Sequence, residues 1–94
     1  MLNAATFSRV YKFCYDENRS TITFYPNGKV SMYSESMGTY EEHSYQVKGT
    51  NIYIYDGDGE VLYQGSCNMR NNVPYSVNFS YGSMGGNVYA TRCD

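Results

Sequence analysis

The feature that most constrains the fold of this chain is a strict alternation of apolar and polar residues, broken at intervals by turn-forming residues. Residues 21–25 place Ile22 and Phe24 on one face, and residues 73–81 carry an apolar or aromatic side chain at every second position. This period is typical of strands that bury one face, because successive strand side chains point to opposite sides. Beyond the N-terminus no window of about 11 residues keeps a helical period. The pattern predicts an all-β fold.

The turns predict a series of hairpins whose registers agree with one another. Pro26 and Gly28 suit a three-residue loop that ends in a bulge. The later loops are expected at residues 48–51, 56–59, 70–72 and 82–86. The facing pairs that follow are Phe24 with Val30, Ile22 with Met32, Tyr45 with Ile54, Ile54 with Val61, Ile52 with Tyr63, Met69 with Val73, Cys67 with Tyr75, Tyr81 with Val88, and Phe79 with Ala90. One continuous apolar face results, without a register conflict.

About eight short strands in up-and-down order are therefore expected in a single domain, residues 1–94. Such a sheet normally closes, because strand twist accumulates and open edges invite aggregation. We expect a small antiparallel meander barrel, with an open bent sheet or a two-sheet sandwich as alternatives. Residues 7–15 are expected to form a strand, although Phe7, Val10, Tyr11 and Cys14 also share a helical stripe. Residues 37–42 are expected to form an exposed loop or a frayed edge.

Residues 21–65 contain a repeated strand–turn–strand sequence pattern. They contain Ile-Thr-Phe-Tyr-Pro-Asn-Gly-Lys-Val, then Ser-Tyr-Gln-Val-Lys-Gly-Thr-Asn-Ile-Tyr-Ile-Tyr-Asp, then Gly-Glu-Val-Leu-Tyr-Gln-Gly. In this half of the chain the sequence resembles small lipocalin-like domains of the calycin type. The resemblance implies a β-barrel, which in larger members encloses a pocket for small apolar ligands. This chain is much shorter and lacks their N-terminal Gly-x-Trp signature, so the resemblance identifies no binding residue.

Charge and hydropathy exclude several classes of partner. The net charge is −2, the isoelectric point is near 5.2, and the seven basic residues are scattered. A phosphate backbone or an anionic membrane surface is therefore not an expected partner. No segment approaches the roughly 18 apolar residues of a membrane span, and residues 1–10 lack the apolar run of a signal peptide. We expect a soluble protein, either cytosolic or the mature part of an exported precursor.

The three cysteines, Cys14, Cys67 and Cys93, show no zinc-site spacing. Cys14 and Cys93 lie on the same outward face if Phe13 points inward, whereas Cys67 points inward. In an oxidising compartment we therefore expect a Cys14–Cys93 disulfide and a free, buried Cys67.

The ionisable residues do not form a recognisable catalytic or metal site. His43 is the only histidine and is expected to be a loop residue beside Glu41 and Glu42. Residues 56–60 lack the length and the flanking helices of an EF-hand, so they are expected to form an ordinary hairpin loop. Glu35 with Glu41 or Glu42 is expected to be surface charge. We predict no enzyme activity, no catalytic residue, no metal and no cofactor.

The twelve tyrosines are the most informative feature for function. Parity assigns Tyr45, Tyr63, Tyr75 and Tyr81 to the apolar face, and Tyr25, Tyr33, Tyr53, Tyr55 and Tyr89 to the opposite face. The predicted register places Tyr53 opposite Gln46 and Leu62. We therefore predict a binding surface made of Tyr53, Tyr55, Leu62, Tyr33 and Tyr25, because exposed aromatic patches often mark interaction sites. Ordinary cross-strand pairing that stabilises the sheet is the alternative.

Two functions follow from these features. The first is a non-catalytic protein-binding module, such as a small inhibitor or adaptor, whose partner is another protein or a second copy of the chain. The second is a lipocalin-like carrier of a small apolar ligand. It ranks lower, because inward side chains as large as Phe and Tyr are expected to fill an eight-stranded interior.

Overall fold

A computed structural model describes residues 5–81 and 86–94 of the chain. Antiparallel strands follow one another as β1 (Tyr11–Tyr15), β2 (Ser20–Phe24), β3 (Lys29–Ser34), β4 (Thr39–Lys48), β5 (Asn51–Tyr55), β6 (Val61–Arg70), β7 (Val73–Tyr81) and β8 (Gly86–Arg92). Each strand pairs with the next, and β8 pairs with β1 to close a barrel. The predicted eight-stranded up-and-down barrel is confirmed. The described residues include no helix of the length and apolarity that a membrane-spanning helix needs.

The first two predicted hairpin registers, those across the turns at residues 26–28 and 48–51, are confirmed. In the turn between β2 and β3, the Tyr25 N–H donates to the Lys29 carbonyl at 2.9 Å, and Gly28 has a φ of 89°. That left-handed conformation favours glycine, as the three-residue loop requires. The confirmed facing pairs are Phe24 with Val30, Ile22 with Met32, and Tyr45 with Ile54.

The predicted register between β5 and β6 is wrong. Ile54 faces Tyr63 rather than Val61, and Ile52 faces Gly65. The Asp56 N–H bonds the Glu60 carbonyl, so the loop spans only residues 57–59. A bulge then inserts Leu62 between the residues that face Tyr55 and Ile54. Leu62 therefore does not lie opposite Tyr53, whose partner on β6 is Gln64.

The predicted register between β6 and β7 is also wrong. Asn71 and Asn72 have φ values of 54° and 64° and form a two-residue turn, as asparagines in a type I′ turn do. A second bulge leaves Tyr75 without a facing residue on β6. Met69 consequently faces Pro74, and Cys67 faces Val77. Tyr75 is exposed rather than part of the apolar face.

Between β7 and β8 the register differs from the prediction by two residues. Phe79 faces Val88 and Val77 faces Ala90, so the predicted pairs Tyr81 with Val88 and Phe79 with Ala90 are wrong. A shift of two keeps every side chain on its face, and Val88 and Ala90 are buried as expected. Residues 82–85 of the predicted loop, and the side chain of Tyr81, lie outside the described part of the structure.

The two segments that the sequence left ambiguous are now assigned. The predicted strand at residues 7–15 is confirmed for residues 11–15 and is wrong for residues 7–10, which form neither a strand nor the alternative helix. Residues 39–43 belong to β4, so the predicted loop at residues 37–42 is limited to its first two residues. The prediction that His43 is a loop residue is also wrong, because it faces Val30 across β3 and β4. Tyr33 on β3 and Tyr40 on β4 thereby become direct cross-strand neighbours.

The barrel interior is filled by side chains of the predicted apolar face. Fully buried members include Phe13, Phe24, Tyr45, Ile22, Ile52, Ile54, Val30 and Val77. At one end, which we call the closed end, the Phe7 ring packs edge-on against Tyr11 and Phe24, each at 5.3 Å between ring centres. The opposite, open end carries the turns at residues 16–19, 35–38 and 56–60. The chain before β1 therefore plugs one end of the barrel.

The junction between β1 and β8 is the shortest in the barrel. Its ladder has two facing pairs, Phe13 with Arg92 and Cys14 with Thr91. A disulfide joins Cys14 to Cys93, two residues whose sequence separation is 79. The predicted pairing is confirmed, as is a free and buried Cys67. The disulfide therefore locks the strand pair that closes the barrel.

Candidate functional site

The predicted surface around Tyr53 and Tyr55 is less accessible than expected. Both rings are half-buried. The Tyr55 hydroxyl donates to the Gln46 side-chain carbonyl at 3.0 Å, and the Lys48 ammonium lies 5.4 Å from the centre of the Tyr53 ring. These contacts tie both tyrosines to their own sheet.

Leu62 lies at the bulge and is exposed, as is its neighbour Val61, which faces Tyr55. We call Tyr55, Val61 and Leu62 the bulge patch. Tyr25 lies at the closed end, in the turn after β2, and is exposed. Tyr25 therefore lies toward the end of the barrel opposite Tyr33.

Among the side chains that the structure describes, the most exposed aromatic pair lies near the open end. Tyr33 and Tyr40 face each other across β3 and β4, and their exposed fractions are 44% and 64%. Met37, in the turn between these strands, is 75% exposed. We call Tyr33, Met37 and Tyr40 the hairpin cluster.

The sequence pattern predicts Tyr33 as a surface residue of the site but not Met37 or Tyr40, because it favours an exposed loop or a frayed edge at residues 37–42. The glycine at position 38 is a sequence signal for the pairing of β3 with β4. Gly38 has a φ of 64° and its N–H donates to the Glu35 carbonyl. A turn that ends in such a glycine brings the alternating residues before and after it into register.

Acidic side chains surround the hairpin cluster. Residues 33–43 contain Glu35, Glu41 and Glu42 and neither lysine nor arginine. The Glu41 carboxylate lies 2.8 Å from His43 Nε2. On the neighbouring hairpin, Arg19 is already paired with Asp16 at 3.0 Å. The cluster is therefore an apolar patch with a negatively charged border.

A small cavity of about 150 Å³ lies at the open end. Its lining residues are Tyr15, Met32, Tyr33, Ser34, Met37, Thr39, Glu41 and Tyr63. Pockets for drug-sized ligands measure roughly 300 to 1,000 Å³, so this cavity by itself is small for a carrier site. A depression of about 430 Å³ at the same end shares Tyr15, Ser34 and Met37 with it and is also lined by the outward-facing Tyr89. Below it the interior is occupied by fully buried side chains.

The ionisable groups are placed in ways that explain their structural roles. Across the described ranges, 5–81 and 86–94, no three His, Cys, Asp or Glu residues group closely enough to hold a metal ion. Asp56 Oδ1 accepts hydrogen bonds from the N–H groups of Asp58 and Glu60, which organises its own turn. Burial raises the pKa of the Cys67 thiol to about 11, so this cysteine is a poor nucleophile at neutral pH.

The fold defines the class of this protein: a closed, eight-stranded, up-and-down antiparallel β-barrel, whose architecture is compatible with that of calycins. Comparisons with protein-family models, with curated proteins and with solved structures found no match.

Proposed function

We propose that this protein is a non-catalytic protein-binding module that contacts its partner through the hairpin cluster. The observation that carries the proposal is the direct cross-strand pairing of two exposed tyrosines, Tyr33 and Tyr40, next to an exposed methionine. Tyrosine and methionine are enriched at protein interfaces, and tyrosine is among the commonest residues at their energetic centres. The rigid barrel presents these side chains at little conformational cost.

The charge around the cluster favours a basic partner. Glu35, Glu41 and Glu42 border the apolar patch, and the two lysines of the same hairpin, Lys29 and Lys48, lie at its far ends, away from the turn. A partner with a basic rim around an apolar centre would gain association rate and orientation from this field. A second copy of the chain would place the same acidic hairpins against each other in a two-fold interface, which is unfavourable. A foreign, basic protein is therefore the preferred occupant.

The other predicted residues rank lower as contacts. The bulge patch adds exposed apolar area, but the Tyr55 hydroxyl is already bonded to Gln46. Tyr53 and Tyr25 lie on other parts of the barrel wall. A lipocalin-like carrier role has less support, because fully buried side chains such as Phe13, Phe24 and Tyr45 fill the barrel interior.

Site-specific photocrosslinking tests the proposal. A benzoylphenylalanine at position 37 should crosslink to one basic protein in extracts of the native host, and competition with unlabelled wild-type protein should remove the product. Position 69 serves as a matched control, because Met69 is also exposed but lies toward the closed end. The same probe there should give no such product.

Two results would contradict the proposal. Equal crosslinking from positions 37 and 69 would mean that the hairpin cluster is not a specific surface. A crosslink only to a second copy of the chain would replace the foreign partner with self-association.

A further inference from the structure

The barrel wall formed by β4 to β8 carries a second surface with different chemistry. Two adjacent outward rows cross these five strands. The first consists of Gln46, Tyr53, Gln64, Ser80 and Asn87, and the second consists of Lys48, Asn51, Ser66, Asn78 and Tyr89. Nine of these ten residues are uncharged. Apart from the two tyrosines, seven of them carry a side-chain amide or hydroxyl. We call this surface the amide face.

A depression of about 270 Å³ lies at its centre. The lining residues are Asn51, Gln64, Gly65, Ser66, Asn78, Ser80 and Asn87, none of which is charged. Gly65 packs tightly there, because a Cβ at this position would overlap the Asn78 carbonyl oxygen and the Phe79 ring. The close approach of β6 to β7 therefore depends on glycine at this point.

The four side-chain amides of the depression are free to bind a ligand, whereas the Ser80 hydroxyl donates to the Gln64 backbone carbonyl. The side chains of Asn51, Gln64, Asn78 and Asn87 are exposed, and none of them forms a hydrogen bond with another side chain or backbone group in the part of the chain that the structure describes. Each amide offers two donors and one acceptor with two lone pairs. The surface therefore presents many donors and acceptors without a net charge.

An exposed aromatic ring borders the depression on the β8 side. Tyr89 is 53% exposed and faces Asn78, one of the lining residues. On the β5 side the Tyr53 ring is half-buried and lies beneath the Lys48 ammonium. Tyr89 is therefore the ring that can pack against a ligand in the depression.

We propose that the amide face binds a neutral oligosaccharide. Sugar hydroxyls match clustered amides and hydroxyls, and the apolar C–H face of a pyranose packs against a tyrosine ring. Nucleic acids and acidic glycans would need basic residues, and Lys48, the one cation in the two rows, lies over the Tyr53 ring. An apolar ligand would leave the amides unpaired. This surface is separate from the hairpin cluster, so the two proposals stand independently.

NMR titration of the ¹⁵N-labelled protein tests the proposal. Cellotetraose and chitotetraose represent structural polysaccharides, mannotetraose represents glycoprotein glycans, and tetragalacturonate is the charged counterpart. At least one neutral tetrasaccharide should shift the amide signals of Asn51, Gln64, Asn78 and Asn87, and tetragalacturonate should not. The identity of the neutral sugar that binds shows whether the ligand is a structural polysaccharide or a glycoprotein glycan.

Variants locate the site. Tyr89→Ala should weaken binding about tenfold, the loss expected when an aromatic contact is removed. Tyr75→Ala is the matched control, because Tyr75 is an exposed tyrosine at the bulge of β7, outside the two rows, and it should bind as wild type does. The proposal is overturned if no neutral sugar binds, if the shifts map elsewhere, if tetragalacturonate binds equally well, or if Tyr89→Ala has no effect.

Discussion

The backbone N–H of Phe7 donates a 3.0 Å hydrogen bond to the hydroxyl of Tyr45 at the closed end of the barrel. The same hydroxyl donates to the Tyr25 carbonyl at 2.8 Å. Burial raises the pKa of Tyr45, so the hydroxyl keeps its proton and can serve both partners at once. One side chain thus connects the segment before β1 to the turn after β2.

Tyr45→Phe should lower the free energy of unfolding by about 1 to 3 kcal/mol, because the Phe7 N–H and the Tyr25 carbonyl each lose their partner. Urea denaturation measures the loss, and amide hydrogen exchange at Phe7 should quicken. Unchanged stability and exchange would show that the plug does not depend on this hydroxyl.

The disulfide should contribute strongly to stability. Cys14→Ser with Cys93→Ser should lower the free energy of unfolding by about 2 to 5 kcal/mol, because the bond closes a long loop across a short strand junction. Denaturation with and without dithiothreitol measures this. Cys67→Ala is the control, since it should remain sensitive to the reductant. If complete reduction leaves the denaturation midpoint of the wild type unchanged, the disulfide does not stabilise the junction between β1 and β8.

Cys67 should make stability depend on alkaline pH. Its pKa is about 11 in the folded state and about 8.5 in an unfolded chain. The folded state therefore binds more protons between these values, and the contribution of Cys67 to stability falls as pH rises through that window. The free energy of unfolding of the wild type should fall relative to that of Cys67→Ala above about pH 8.5. Parallel pH profiles would contradict the assignment.

Gly65→Ala should destabilise the barrel by about 1 to 3 kcal/mol, because the added methyl group overlaps the Phe79 ring and the Asn78 carbonyl oxygen. Gly57→Ala is the matched control, since no atom lies within 4 Å of the added carbon. Thermal melting compares the two variants. Similar melting temperatures would mean that β6 and β7 relax freely at this position.

The sequence predicted the fold and most of the inward faces, because alternation survives any register shift of two residues. Phe79 and Val88 illustrate this, since both are buried although the predicted partners were wrong. Bulges could not be predicted, because inserting one residue leaves the hydrophobic pattern on each side intact. The cross-strand partners predicted for Leu62 and Tyr75 are wrong because each of these residues lies at a bulge.

The candidate site was harder to predict than the fold. Tyr40 and Met37 lie in a stretch rich in glutamate and serine, where weak alternation indicated a loop. The pairing with β3 overrides that local signal. The amide face was also missed, because its residues come from five strands and are brought together only by the register.

The affinity for the crosslinked partner, measured by calorimetric titration, tests the central claim most directly. The variant with Tyr33→Ser, Met37→Ser and Tyr40→Ser should melt cooperatively but bind about 30-fold more weakly or worse, as loss of an interface centre predicts. The control with Met69→Ser, Val73→Ser and Tyr75→Ser removes a comparable exposed set and should bind as the wild type does. Raising the salt concentration should weaken wild-type binding, because the acidic border is screened. Wild-type affinity in the hairpin-cluster variant would contradict the proposed function.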